Sequence, residues 1–320
     1  MGSGEFVGGT REPDSVSPTQ VGFRSSRQSL TLAAPRSPDF VHGAHGLVLT
    51  SPRSLSDGQA LRPMIPISDD NPTLRFPLVT IALLVAMGLV WVLVQGAGLS
   101  PTVLAASVCN LGLVPGEFTG RAPIGQAVPL GRDLLCVVDR DPINTLTPVF
   151  SMFLHGSWMH LLGNGLFLWV FGNNVEDSMG RLRFLVFYLV CGLAAAAAQI
   201  AIDPASPVPM VGASGAISGV LGAYLMLYPR VRVNVLFIWV IFVQVISLPA
   251  YLVLLWWIGL QLLSGLPQLS SMRPDVSSGV AVWAHIGGFF AGFLLVKLFE
   301  NRALVNARTL VRRRSHPTHW

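Results

Sequence analysis

The sequence predicts an all-α membrane protein of six transmembrane helices, with both chain ends on the cytoplasmic side. Three observations carry this prediction. Charged residues make up 12% of the chain and apolar ones 52%, with a mean hydropathy of +0.58, whereas an ordinary soluble domain is roughly 25% charged. Six apolar runs follow, near 77–96, 148–172, 181–202, 211–228, 249–266 and 279–299. Each approaches the ~20 helical residues that cross a hydrocarbon core of ~30 Å. The basic residues, finally, cluster in alternate loops between those runs.

The first 63 residues are different in kind. They are rich in Ser, Pro, Gly and Arg and show no hydrophobic period, so residues 1–63 read as a disordered or non-native leader. No signal-peptide core stands among them, although an Arg- and Ser-bearing start with few acids is also the composition of an organellar transit peptide. Native-like sequence is expected from Met64, where "MIPISDDNPTLRFP" makes a short polar lead into span 1.

The orientation follows from Lys and Arg. Arg62 and Arg75 precede span 1, Arg181 and Arg183 separate spans 2 and 3, and Arg230 and Arg232 separate spans 4 and 5. Lys297, Arg302, Arg308 and the run Arg312, Arg313, Arg314 close span 6 and the tail. On the other side, "AIDPASPVPM" has no basic residue and "LPQLSSMRPDVSSG" has only Arg273. The first loop, 97–147, mixes its Arg residues with acids, and long loops weigh little. The stretch "VRVNVLFIWVIFVQVISL" at 231–248 reads as a cytoplasmic loop hugging the membrane, because a seventh span there would export the Arg-rich tail. Pro249 then opens span 5, since its missing N–H would be unpaired in a first turn anyway. The membrane domain therefore runs 64–300, followed by a basic cytoplasmic tail, 301–320. A net charge of +5 and a pI near 9.6 would suggest nucleic acid in a soluble protein. Here the charge orients the chain, its partner is the lipid bilayer, and no nucleic acid is expected.

Three polar groups then arrive at one depth. Ser214 in "GASGAISG" stands roughly 16 residues before Arg230, ~24 Å of helix at the usual rise, which is short of the ~30 Å core. His285 precedes Arg302, and His160 precedes Glu176, by nearly the same count. Asn164 lies one turn beyond His160 on the same face. Polar side chains inside a membrane are tolerated mainly where they face the bundle interior or water. His285, Gly288 and Gly292 share one helix face, and the two glycines form a GxxxG that lets a neighbouring helix approach closely. Ser214, Ser218 and Gly222 make a matching stripe on span 4. Spans 4 and 6 are thus expected to pack backbone to backbone, with Ser214 and His285 at their shared end.

The segments "HGSWMHLLGNGLFLWVFGNNVED", "GASGAISGVLGAYLMLYP" and "AHIGGFFAGF", in this order, resemble a rhomboid intramembrane serine protease, most closely of the bacterial type. The likeness covers about residues 64–300. It implies Ser214 as nucleophile and His285 as general base. His160, Asn164 and the Ser214 backbone N–H would form the oxyanion hole, with Gly212 and Gly215 holding the glycine positions of the family's G-x-S-G. Two features depart from the family pattern. The first loop has no clear Trp-Arg pair, and Ser218 stands where some members place a Tyr that stacks on the histidine. The implied substrates are single-pass transmembrane proteins, cut near the outer membrane face, and the implied location is a bacterial inner membrane.

The residues support this chemistry in their own right. Serine is a weak nucleophile until a base takes its proton. No Asp or Glu lies at the depth of His285, so a Ser–His dyad is expected rather than a triad, with no cofactor or metal. A transporter or channel could use the same Ser, His and Asn as a polar path, and a client-binding relative could have lost catalysis. A zinc hydrolase would need His155, His160 and His285, but no HExxH is present. His155 is expected to brace its loop through hydrogen bonds. Cys109 and Cys136 share the first loop, where they pair in an oxidising compartment or stand as free thiols. Cys191 lies in span 3.

Overall fold

A computed structural model describes residues 64–130, 134–239, 242–270 and 281–307. The leader 1–63 and the run Arg312–Arg314 lie outside the described residues. The chain opens with strand β1 (Met64–Asp69), helix α1 (Leu78–Leu93) and helix α2 (Pro101–Leu111). The first loop continues through the single turn α3 (Pro115–Phe118), the hairpin of β2 (Ala127–Pro129) and β3 (Leu135–Val137), and the turn α4 (Thr147–Phe150). Then come α5 (Trp158–Phe167), a π-helical stretch Leu168–Gly172, α6 (Asn173–Met179), α7 (Arg181–Ile202) and α8 (Ser214–Leu227). Strands β4 (Arg232–Trp239) and β5 (Phe242–Pro249) precede α9 (Ala250–Ser270) and α10 (Val282–Phe299).

Local chemistry sets most helix ends. Ser157 caps α5 by accepting the His160 N–H at 3.1 Å, and Ser100 caps α2 with Pro101 behind it, both satisfying donors that a helix start leaves open. Span 2 was expected from residue 148. The helix instead starts ten residues later, because Pro148 and the turn at Ser151–Phe153 interrupt it and Ser157 supplies the cap. Gly180, at φ 86°, separates α6 from α7 in a conformation that costs glycine little. The start of α1 is capped from elsewhere in the chain: the buried Glu176 carboxylate accepts the N–H groups of Val79 at 3.0 Å and Thr80 at 2.8 Å, and the Thr80 hydroxyl at 2.8 Å. Asp177 beside it pairs with Arg75 at 3.1 Å.

Helices α7, α8 and α10 form the centre of the bundle through small residues. A Cβ on Gly288 would run into the Gly215 carbonyl oxygen, one on Gly292 into that of Gly219, and one on Gly222 into that of Phe289. Backbone therefore touches backbone along α8 and α10. The α8 face that does this carries Gly215, Gly219 and Gly222, not the expected Ser214, Ser218 and Gly222. Ser218 instead donates to its own turn, to the Ser214 carbonyl at 2.6 Å. On the α7 side, a Cβ on Gly215 would lie 2.6 Å from that of Ala195.

The expectation of an all-α chain needs correcting. Where a loop was expected, β4 and β5 pair antiparallel, and β1 adds to β4 antiparallel, in the order β1-β4-β5. A strand with one wet face alternates in polarity, and Arg232, Val233, Asn234 and Val235 do so, but from Leu236 on the residues are mostly apolar. Val233 and Val235 are buried, while Val243 and Val245 on the partner strand are exposed. The period of two is therefore legible only at the start of β4. The sheet lies at the far end of α8 from Ser214, where Asp69 accepts hydrogen bonds from Asn174 at 2.7 Å and from the Tyr224 hydroxyl.

Candidate active site

Ser214 is the first residue of α8, so its N–H has no partner within the helix. Gly212, two residues earlier, has φ +126°, a region that L side chains rarely enter. A Cβ there would also fall 2.7 Å from His160 Nε2 and 3.6 Å from Ser214 Oγ. Gly212 thus lets the edge of the His160 ring close on the backbone beside the serine. The approach to α8 is held by its neighbours. The Gly212 N–H donates to Ser151 at 2.8 Å, and Met210 exchanges backbone bonds with Leu113 at 2.8 and 3.0 Å. Thr119 also donates to Pro204, at 2.5 Å. The first loop therefore docks on the chain that delivers Ser214, by backbone contacts that no Trp-Arg pair is needed to make.

His285 lies in the first turn of α10, with Nε2 2.7 Å from Ser214 Oγ. Its other nitrogen, Nδ1, is 2.9 Å from Gln261 Oε1 on α9. The Trp257 ring, one turn before Gln261, lies 5.8 Å from the imidazole at a tilt of 40°. Across from these, His160 Nδ1 accepts the Gly156 N–H at 3.4 Å, which leaves Nε2 as the proton-bearing nitrogen on the Gly212 side. Asn164 is buried, and among the described residues its Nδ2 donor has no acceptor. Ser214, His285, His160 and Asn164 all line one cavity of about 310 Å³, whose remaining wall includes Met159, Phe167, Ile217 and Trp257.

Of the residues singled out in the sequence, Gly288 and Gly292 sit at the α8–α10 contact below the site, and Gly215 faces Gly288. His155 lies against the His160 ring. It precedes α5, and among the described residues its ring nitrogens have no partner. It braces the loop through its backbone, whose N–H donates to Gln95 Oε1 at 2.8 Å and whose carbonyl accepts Gln95 Nε2 at 2.7 Å. Its ring packs edge-on against His160 at 5.2 Å. Gln261 and Trp257 were missed by the sequence reading. The available signal was a single Gln in the otherwise apolar "YLVLLWWIGLQLL", since polar residues at membrane depth seldom lack a task. Away from the site, Cys109 and Cys136 are both buried thiols, not joined in a disulfide. The hydrogen bond to Cys109 and the burial of Cys136 raise the Cys136 thiol well above its ordinary range.

The Rhomboid domain family matches residues 144–302. YdcA of Bacillus subtilis is 30% identical over 162 residues, 49% of this chain and 69% of that protein. The chain belongs to the rhomboid family. Rhomboid protease GluP of the same organism is 45% identical over 80 residues, 25% of this chain and 15% of GluP. RHOMBOID-like protein 5 of Arabidopsis thaliana is 31% identical over 147 residues, 46% and 41% of the two chains. The chain thus spans less than half the length of these last two relatives. As a rhomboid, it is an integral membrane protein built as a helical bundle, in a family of intramembrane serine proteases. Arg181–Ile202 and Val282–Phe299 are each long and apolar enough to cross a membrane, and Leu78–Leu93, Ser214–Leu227 and Ala250–Leu266 are shorter apolar helices. Relatives occur in plants and yeast as well as bacteria.

Proposed function

We propose that this rhomboid is an active intramembrane serine endopeptidase that uses Ser214 and His285 as a dyad. The observation that carries the reading is the 2.7 Å contact of Ser214 Oγ with His285 Nε2, at a cavity into which an unpaired Asn164 donor also opens. His285 Nε2 takes the Oγ proton as Oγ attacks the scissile carbonyl carbon, and the carbonyl oxygen becomes an oxyanion. Asn164 Nδ2, His160 Nε2 and the Ser214 N–H are the donors suited to hold that charge. Such groups lower the barrier because they are already oriented where charge develops. The intermediate collapses as the leaving amine receives the proton from Nε2. Water then gives its proton to the same nitrogen, attacks the acyl ester, and releases the carboxyl product and free Ser214.

The substrates are single-pass transmembrane proteins, unwound near the outer end of their span so that a peptide bond can enter the cavity. The six spans are α1, the continuous α5–α6 unit, α7, α8, α9 and α10. Both ends lie in the cytoplasm, as the Arg residues near the ends of α6 and α8 and after α10 favour. Residues 64–300 are the catalytic unit, and a cell membrane of bacterial type is the proposed location. The test is incubation of the purified protein, reconstituted in lipid, with a panel of transmembrane peptides, and mass spectrometry of the products. A serine-directed phosphonate should label Ser214. Failure of both cleavage and labelling would favour a client-binding relative that has lost catalysis.

A further inference from the structure

We propose that Gln261 is a positioning residue that sets the tautomer of His285, with Trp257 holding the ring's tilt. The proposal rests on the protease reading, since it concerns the base of that reaction. A neutral imidazole carries its proton on one nitrogen only, and what the other nitrogen meets decides which. To accept a proton from Ser214, Nε2 must present its lone pair, so the ring proton must reside on Nδ1. That proton needs an acceptor, because a buried donor left unpaired is costly. Among the described residues no carboxylate contacts the ring. Gln261 Oε1 does, at 2.9 Å.

Helix geometry explains why this side chain arrives there. Trp257, Gln261 and Gly265 are spaced i, i+4, i+8 and share one face of α9. That face is turned toward α10 at three levels. The Trp257 ring lies 5.8 Å from His285 and 6.2 Å from Phe289. Gln261 bonds His285, and a Cβ on Gly265 would lie 3.3 Å from the Trp283 ring. The glycine permits close approach at one end, and Trp257 packs at the other. Between them Gln261 is held at bonding distance. From α8 no group does this work: Ser218, one turn after Ser214, spends its hydroxyl on its own backbone.

The orientation of the amide matters. With Oε1 toward the ring, Gln261 accepts and leaves Nε2 free to act as base. Rotated by half a turn, the amide NH₂ would donate to Nδ1 and move the ring proton to Nε2, disabling the base. A carboxylate in place of the amide can only accept, and an isosteric apolar side chain can do neither.

The experiment has two independent readouts on the reconstituted full chain. The first is ¹⁵N NMR of the chain's 7 histidines, with His285 assigned by its loss in His285→Gln. Wild type should show the Nδ1–H form at His285, and Gln261→Leu should lose that preference. The second is cleavage. Gln261→Leu should lower kcat about tenfold, the scale of one hydrogen bond, with KM within about twofold and an unchanged melting temperature. Gln261→Glu should recover most of that loss. An Nε2–H form in the wild type, or a Gln261→Leu variant that keeps both tautomer and kcat, overturns the proposal. So does equal damage by Leu and Glu together with a lowered melting temperature, which marks a merely structural glutamine. Absence of Ser214-dependent cleavage in the wild type would instead sink the protease reading, while the NMR still decides what Gln261 does to the ring.

Discussion

Replacing Asn164 with alanine separates a catalytic donor from a structural one. Asn164 is buried, and its Nδ2 meets no acceptor among the described residues. A buried donor without a partner already costs the folded state about 1–3 kcal/mol. Removing it therefore sacrifices no hydrogen bond from that donor, and the melting temperature of Asn164→Ala should stay level or rise slightly. The transition state is different. If the donor meets the oxyanion, its loss should cost about 2.7–4 kcal/mol, or 10²–10³ in kcat, with KM little changed because the bond forms only as charge develops. His160→Ala should lose turnover on the same scale but also some stability, because His160 accepts the Gly156 N–H and packs against the His155 ring. The double variant should cost less than the product of the two, as groups serving one oxygen are not additive. The assay measures cleavage of a transmembrane peptide and thermal unfolding on the same samples. Turnover of Asn164→Ala within about threefold of wild type, far from the expected loss, would refute the assignment. A marked fall in melting temperature with turnover per folded molecule retained would do the same.

Other outcomes follow from the same geometry. Ser214→Ala should abolish cleavage and phosphonate labelling and leave stability nearly intact, since alanine fits wherever serine does; cleavage near the wild-type rate would end the dyad reading. Gly288→Val and Gly292→Val should each destabilise the bundle by at least the ~1–3 kcal/mol of ordinary overpacking, because the added carbon meets the carbonyl oxygens of Gly215 and Gly219 rather than a movable side chain. Normal unfolding and turnover of either variant would show that α8 and α10 do not touch there. Cys136 should alkylate slowly at neutral pH, since its raised pKa leaves little thiolate, and oxidation should join it to Cys109. Non-reducing peptide mapping after oxidation that finds both thiols alkylatable would reject the bridge.

Much of this protein was legible along the chain because the relevant properties are local. A helix advances about 1.5 Å per residue, so counting from Arg230, Arg302 and Glu176 was enough to bring Ser214, His285 and His160 to one depth before any contact was known. Arg181–Ile202 reads as a span from its own composition, and Ser157 and Gly180 mark helix ends by their own chemistry. Other features were decided only between segments. The face by which α8 meets α10 turned out to be Gly215, Gly219 and Gly222, because in a helix this rich in small residues several faces permit close approach and the partner's packing selects one. The pairing of β1 with β4 joins residues far apart in sequence, and the alternation that opens β4 from Arg232 to Val235 is lost in the mostly apolar run that follows. The bond from Gln261 to His285 depends on how α9 is rotated against α10. That rotation is set by Trp257 and Gly265 against Phe289 and Trp283, a choice between side chains on two helices that neither helix's sequence contains alone.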